Sequence, residues 1–125
     1  MLMMKTKLFQ GKFKLLIEIP SKYPTRRGVD LLSRKFDNKL VFVVRKRDNK
    51  YFYTYGIGKT LKEKLRQYNL DEEIERYIIS QIKILPDSTI GGKIIKGGGT
   101  IKNINSLTNV LKQIDKHIDG SLPVN

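Results

Sequence analysis

Between residues 12 and 19 apolar and polar side chains alternate, with Phe13, Leu15, Ile17 and Ile19 on one side and Lys12, Lys14 and Glu18 on the other. A period of two marks a strand with one buried face, and Pro20 ends it. Residues 26–36 then repeat at helical spacing, with Val29, Leu32 and Phe36 inward and Thr25 placed as an N-cap. Leu40–Val44 and Tyr51–Tyr55 are two β-branched and aromatic runs separated by Arg45–Lys50. Asp48 and Asn49 both tolerate positive φ, so they predict a two-residue hairpin turn. That turn sets Arg47 opposite Lys50 and Val44 opposite Tyr53. Leu40, Phe42, Val44, Tyr51, Tyr53, Tyr55 and Ile57 then share the core face. Val41, Val43, Arg45, Arg47, Lys50, Phe52 and Thr54 share the other.

Further along, Thr60 with Glu63 has the form of a capping box for a short helix ending near Tyr68. Asp71, Glu72 and Glu73 stand where a helix N-terminus favours acids, and Ile74, Ile78, Ile82 and Leu85 form the apolar stripe behind them. A second hairpin is expected from Thr89–Lys96 and Thr100–Ile104, turning at Gly97-Gly98 and placing Lys93 and Lys102 on its outer face. Ser106 is the expected cap of a last amphipathic helix carrying Leu107, Val110, Leu111, Ile114 and Ile118.

The order is β-α-β-β-α-β-β-α. It predicts an α+β fold, an antiparallel sheet of mixed strand order with helices packed on one face. One domain over 1–125 is expected, with 1–5 and 120–125 as loose ends.

Charge changes this picture most. The net charge of +13 lies wholly in the first half: residues 1–66 hold 18 Lys and Arg against 5 Asp and Glu, whereas residues 67–125 hold 7 of each. A field of one sign and that size selects polyanions. Both hairpins, as registered above, put their cations on the face away from the helices. No stretch is apolar enough to span a membrane and no secretory leader is visible. The expected setting is therefore intracellular, in the cytoplasm or in an organelle matrix or nucleoid, with no membrane partner.

Candidate chemistry is sparse. With 0 Cys, disulfides and thiolate metal sites are out of reach, and 1 His leaves little for zinc chemistry or a histidine-based triad. Gly56-Ile57-Gly58-Lys59-Thr60 ends like a P-loop, but the full pattern needs glycine where Tyr53 stands. A strand-to-helix turn that needs small residues accounts for it better. Gly97-Gly98-Gly99 reads as a turn. Tyr51, Tyr53 and Tyr55 could be a base-stacking platform, yet the register sends them to the core and leaves Phe52 as the aromatic able to meet a base. Glu18, Asp30, Asp37, Asp48 and Glu63 are the carboxylates of the basic half, and they form no two-metal pattern. His117 is expected to be exposed and inert.

From about Leu32 to Ile118 the order of elements resembles the core of the LAGLIDADG homing endonucleases. The segment Leu32-Ser33-Arg34-Lys35-Phe36-Asp37-Asn38-Lys39-Leu40-Val41-Phe42 is similar to their motif helix running into its first strand. The resemblance implies a concave sheet against duplex DNA. The metal-binding carboxylate of the motif falls on Lys39, its small glycines fall on Arg34 and Leu40, and only Asp37 matches an acidic position. It therefore implies a member that kept the basic sheet and lost the metal site. Residues 12–95 alternatively match a ferredoxin-like, RNA-recognition order.

Both routes lead to a nucleic-acid-binding domain without catalysis of its own and without a cofactor. Arg45, Arg47, Lys50, Lys93 and Lys102 are the expected contacts, with Phe52 among them, and Arg26, Arg27, Arg34, Lys35 and Lys39 extend the patch. The partner is DNA or structured RNA, bound by the chain alone, as a homodimer or within a ribonucleoprotein. Two alternatives remain open. One is a Mg²⁺-dependent homing endonuclease using Asp37, and the other is a ribosomal or ribonucleoprotein component.

Overall fold

The β-rich centre follows directly from the Val- and Tyr-rich runs. In the computed structural model, which describes residues 6–20, 24–85, 91–93 and 96–123, Leu40–Arg47 (β3) and Lys50–Ile57 (β4) form an antiparallel hairpin. Arg47 pairs with Lys50 and Val44 with Tyr53, as the turn chemistry requires, and Asp48 takes φ 57°. Lys14–Glu18 (β2) runs parallel to β3, and Thr6–Gln10 (β1) lies antiparallel outside it. Gly91–Lys93 (β5) and Lys96–Ile101 (β6) complete a six-stranded sheet in the order β1-β2-β3-β4-β6-β5.

Four helices among the described residues cover this sheet: Thr25–Lys35 (α1), Lys59–Gln67 (α2), Asp71–Lys83 (α3) and Ile104–Ser121 (α4). The fold is α+β, as the element order implied, but the sheet is mixed and not antiparallel throughout, because β2 and β3 run parallel. The helices, however, do not all lie on one face. Leu40, Phe42, Val44, Tyr53 and Tyr55 pack with Leu61, Leu65, Ile74, Ile78, Ile82, Leu107, Leu111 and Ile114 from α2, α3 and α4. On the other face Leu15, Ile17, Ile19, Val41 and Val43 pack with Val29 and Leu32 of α1. The parallel β2–β3 pair is the cause. Joining parallel neighbours needs a crossover, and α1 is that crossover.

A sheet buried on both faces loses its alternation, and β2 shows it. Leu15, Leu16 and Ile17 are all buried, and Lys14, expected on the outside, is 0% exposed. Gly28 lets α1 approach closely, since a Cβ there would sit 3.1 Å from Val43 Cγ1.

Several local expectations are corrected by where the polar groups actually pair. Thr25 is the first residue of α1 and not its cap; its hydroxyl is bonded to the Thr54 hydroxyl at 2.5 Å. Thr60 and Glu63 make no capping box, because the Thr60 hydroxyl donates to Asp37 Oδ2 at 2.9 Å. The Asp37 carbonyl accepts from Leu61 N instead. Gly58 is required at that junction, since any Cβ would run into the Asp37 backbone. The P-loop look-alike is thus a tight strand-to-helix turn.

Asn103, not Ser106, caps α4, accepting from Asn105 N and Ser106 N at 2.9 and 3.3 Å. That helix runs through Ser121, and Leu122 is buried beneath it, so the chain is anchored beyond residue 120.

The second hairpin departs furthest. Gly97, Gly98 and Gly99 are not a turn but the middle of β6, paired with Tyr55, Thr54 and Tyr53. Lys93 pairs with Lys96, so the reversal comes earlier than expected. Ile94 and Ile95 lie outside the described residues. A Cβ on Gly98 would come within 2.7 Å of the Tyr53 carbonyl oxygen, which explains glycine in a strand.

Candidate nucleic-acid interface

The hairpin register sorts its cations by face. Arg45, Arg47 and Lys50 alternate with Val41 and Val43 and so lie on the α1 side of the sheet, with Phe52 and Thr100 beside them. On this face α1 packs over Val41 and Val43 and over the neighbouring Leu15, Ile17 and Ile19. Its first turn lies over Thr54, which leaves Arg45, Arg47 and Lys50 beyond the helix end. Arg47 and Lys50 are exposed and Arg45 is half-buried. The Arg45 guanidinium carbon lies 5.8 Å from the centroid of the Phe52 ring, a cation–π arrangement that pairs a charge with an aromatic face. Arg26 and Arg27, both exposed in the first turn of α1, project at the same end.

The remaining expected contacts are distributed elsewhere. Arg34 and Lys35 close α1 at the opposite end of the sheet. There Arg34 lines a shallow cavity with Asp37, Lys59 and Lys62, and the Lys35 ammonium rests 5.7 Å from the ring of Phe36. The basic surface is therefore split between two ends of the sheet.

Lys39 leaves it altogether. At 9% exposure, it donates from Nζ to the carbonyls of Gly11 at 2.6 Å and Lys12 at 3.1 Å. It is an internal tie between the first hairpin and β3. Lys102 does not share the Arg45 face; it lines a cavity of about 690 Å³ with Lys46, Tyr51 and the start of α4. The side chain of Lys93 lies outside the described residues.

Two features were missed from the sequence. Lys46 was overlooked because its register places it on the core face of β3, yet it stands past the end of the core and is exposed. His117 was expected to be inert, but its Nε2 lies 2.7 Å from Glu73 Oε1 and its ring stacks on Tyr77 with centroids 3.8 Å apart. It links α4 to α3. An i, i+4 pair of Glu73 and Tyr77 facing one histidine was the available signal.

The three tyrosines of β4 divide. Tyr53 and Tyr55 are buried and stacked with Phe42, so they serve the core. Burial, followed by the neighbouring Glu75, pushes the Tyr55 hydroxyl up to about 12. Burial and then Tyr55 raise that of Tyr53 further. Tyr51 is only half-buried. Among the described residues, no three His, Cys, Asp or Glu side chains gather into a metal-holding group, and no helix is long and apolar enough to cross a membrane.

With six strands in this order and one helix against three, the fold can be compared with known structures. The C-Ala domain of Aquifex aeolicus alanyl-tRNA synthetase superposes with a TM-score of 0.62 at 17% identity, over 92% of this chain and 99% of that one. The chain shares that α+β fold. The DHH domain of a member of the s1p family of ribosomal proteins overlays 96% of this chain on 28% of its own length, with a TM-score of 0.42 at 14% identity. That match is too loose for positions to be compared. No family model and no curated protein sequence matches the chain.

Proposed function

We propose that the chain is a nucleic-acid-binding domain whose principal contact surface is the tip of the β3–β4 hairpin, and that RNA is its polyanion. The observation that carries this reading is the gathering of Arg45, Arg47 and Lys50 on one sheet face with Phe52, beyond the reach of α1. Arg26 and Arg27 approach from the helix. Arginine forks bind phosphate oxygens bidentately. An aromatic set among them gives a base a flat apolar surface. The shared fold with a domain of an alanyl-tRNA synthetase, an enzyme named for a tRNA, supports RNA over DNA. The chain acts here by binding, alone or inside a ribonucleoprotein.

Binding of this kind depends on counterion release. Log affinity falls with log salt by roughly 0.7–0.9 per phosphate neutralised. The test is a salt series with a structured RNA, comparing the wild type with an Arg45→Ala, Arg47→Ala double variant. A shallower slope, lower by about 1.5, is expected for the variant. Lys112→Ala, an exposed position on α4, serves as the control. Affinity that ignores salt, or a double variant with the wild-type slope, would remove the hairpin from the interface.

A further inference from the structure

The cavity at the junction of β3, β4, β6 and α4 is not used by the surface just described. It opens on the other side of the same hairpin tip, with a volume of about 690 Å³, within the roughly 300–1,000 Å³ typical of small-ligand sites. Its floor is apolar, made of Ile101 and Ile104, and Tyr51 forms an aromatic wall. At its rim stand Lys46 and Lys102, both exposed. Asn103 also lines it. The Oδ1 of Asn103 is committed to capping α4, which leaves its side-chain NH₂ as a donor.

We infer that this cavity receives one unpaired nucleotide of a bound RNA. The base lies along Tyr51 over the aliphatic floor. Its carbonyl edge faces the Asn103 amide donor, and its flanking phosphates meet Lys46 and Lys102. A base held in a duplex has its faces covered by its neighbours, whereas a looped or bulged one can be splayed into such a slot. The position of Lys46 makes the connection with the other face. It lies between Arg45 and Arg47 in β3, so successive residues of one strand present cations to opposite sides of the tip. A backbone crossing the tip stays in contact with positive charge while one base drops behind it. This inference rests on the RNA-binding reading above and names the form of RNA that the tip selects.

The experiment compares a hairpin RNA bearing an unpaired loop with a fully paired duplex of equal length. Wild-type protein is expected to bind the looped RNA at least tenfold more tightly. Tyr51→Leu should abolish that preference without altering duplex affinity, and Tyr51→Phe should keep it. Arg45→Ala with Arg47→Ala should weaken both RNAs alike. Because Tyr51 also touches the core, a second measurement uses the unaltered protein. Photocrosslinking to a loop 5-bromouridine is expected to mark Tyr51. Equal binding of the two RNAs, or crosslinks confined to Phe52, would overturn the cavity proposal and leave the hairpin surface standing. No salt-dependent binding to either RNA would overturn both. A nucleoside monophosphate that displaces the loop when equimolar with the RNA would reassign the cavity to free nucleotides, and that too would overturn it.

Discussion

The Lys14 ammonium lies 5.7 Å from the centroid of the Phe42 ring, inside the layer between the sheet and α4. Its side chain is 0% exposed, and among the described residues Nζ has no hydrogen-bond partner. Burial holds its pKa well below 10.5, and the Asp115 carboxylate opposes that shift only in part. Between this lowered value and 10.5 the unfolded chain carries a proton that the folded chain does not. Stability therefore rises with pH across that window and is flat below it.

Lys14→Met should remove this slope. It should also stabilise the protein by about 1–4 kcal/mol, the range seen when buried charged groups give way to apolar ones of similar volume. Urea unfolding between pH 7 and pH 10 reads both effects. A destabilised variant would mean that Nζ contributes more to the fold than the cavity around it loses.

The tyrosines act in the opposite sense. With the Tyr55 hydroxyl raised from 10.0 to about 12, the unfolded chain releases that proton first, and stability falls as pH rises across this interval. Tyr55→Phe should recover roughly 2–3 kcal/mol at the alkaline end. The part due to Tyr53 should persist. Equilibrium unfolding from pH 9 to 12 measures the difference, and identical curves for variant and wild type would contradict it.

Lys39 separates a structural cation from a binding one. Lys39→Met leaves the Gly11 and Lys12 carbonyls without their donor, and is expected to cost about 1–3 kcal/mol. RNA affinity of the folded variant should stay within twofold of wild type. A large loss of affinity with unchanged stability would return Lys39 to the interface.

Two glycines should respond oppositely to alanine. Gly58→Ala drives a Cβ into the Asp37 backbone and should cost at least about 1–3 kcal/mol, as overpacked sites do. At Gly120, in the last turn of α4, a Cβ meets nothing within 4 Å. Alanine there should add roughly 0.4–1 kcal/mol. Thermal melts of the pair decide it.

The legible parts of the fold were those fixed by short-range chemistry. Asp48-Asn49 set the central register, which in turn assigned Arg45, Arg47, Lys50 and Phe52 to one face. Ile74, Ile78 and Ile82 marked their helix by period alone. What escaped depended on distant neighbours. Lys14 looks like an outward residue until β1 and β3 flank its strand and α4 covers it. The glycines at 97–99 look like a turn because nothing local says that tyrosine-bearing β4 will lie alongside. Lys39 looks like surface charge until two carbonyls 27 and 28 residues away converge on it. Residues 6–10 showed no strand signal of their own, and they form one as the partner of β2.

The glycine run in β6 has a kinetic meaning as well. At 97–99 the strand supplies backbone hydrogen bonds to β4 but no side chains, and Ile101 is its buried apolar anchor. Opening that stretch exposes little hydrocarbon, so its amides should exchange with deuterium before those of β3, whose Leu40–Val44 are buried throughout. The Tyr53–Tyr55 stretch of β4 would then lose its β6 partner locally, without global unfolding. A ligand wedged against Tyr51 and Lys102 would slow that exchange, making protection at 97–101 a reporter of occupancy that needs no labelled RNA.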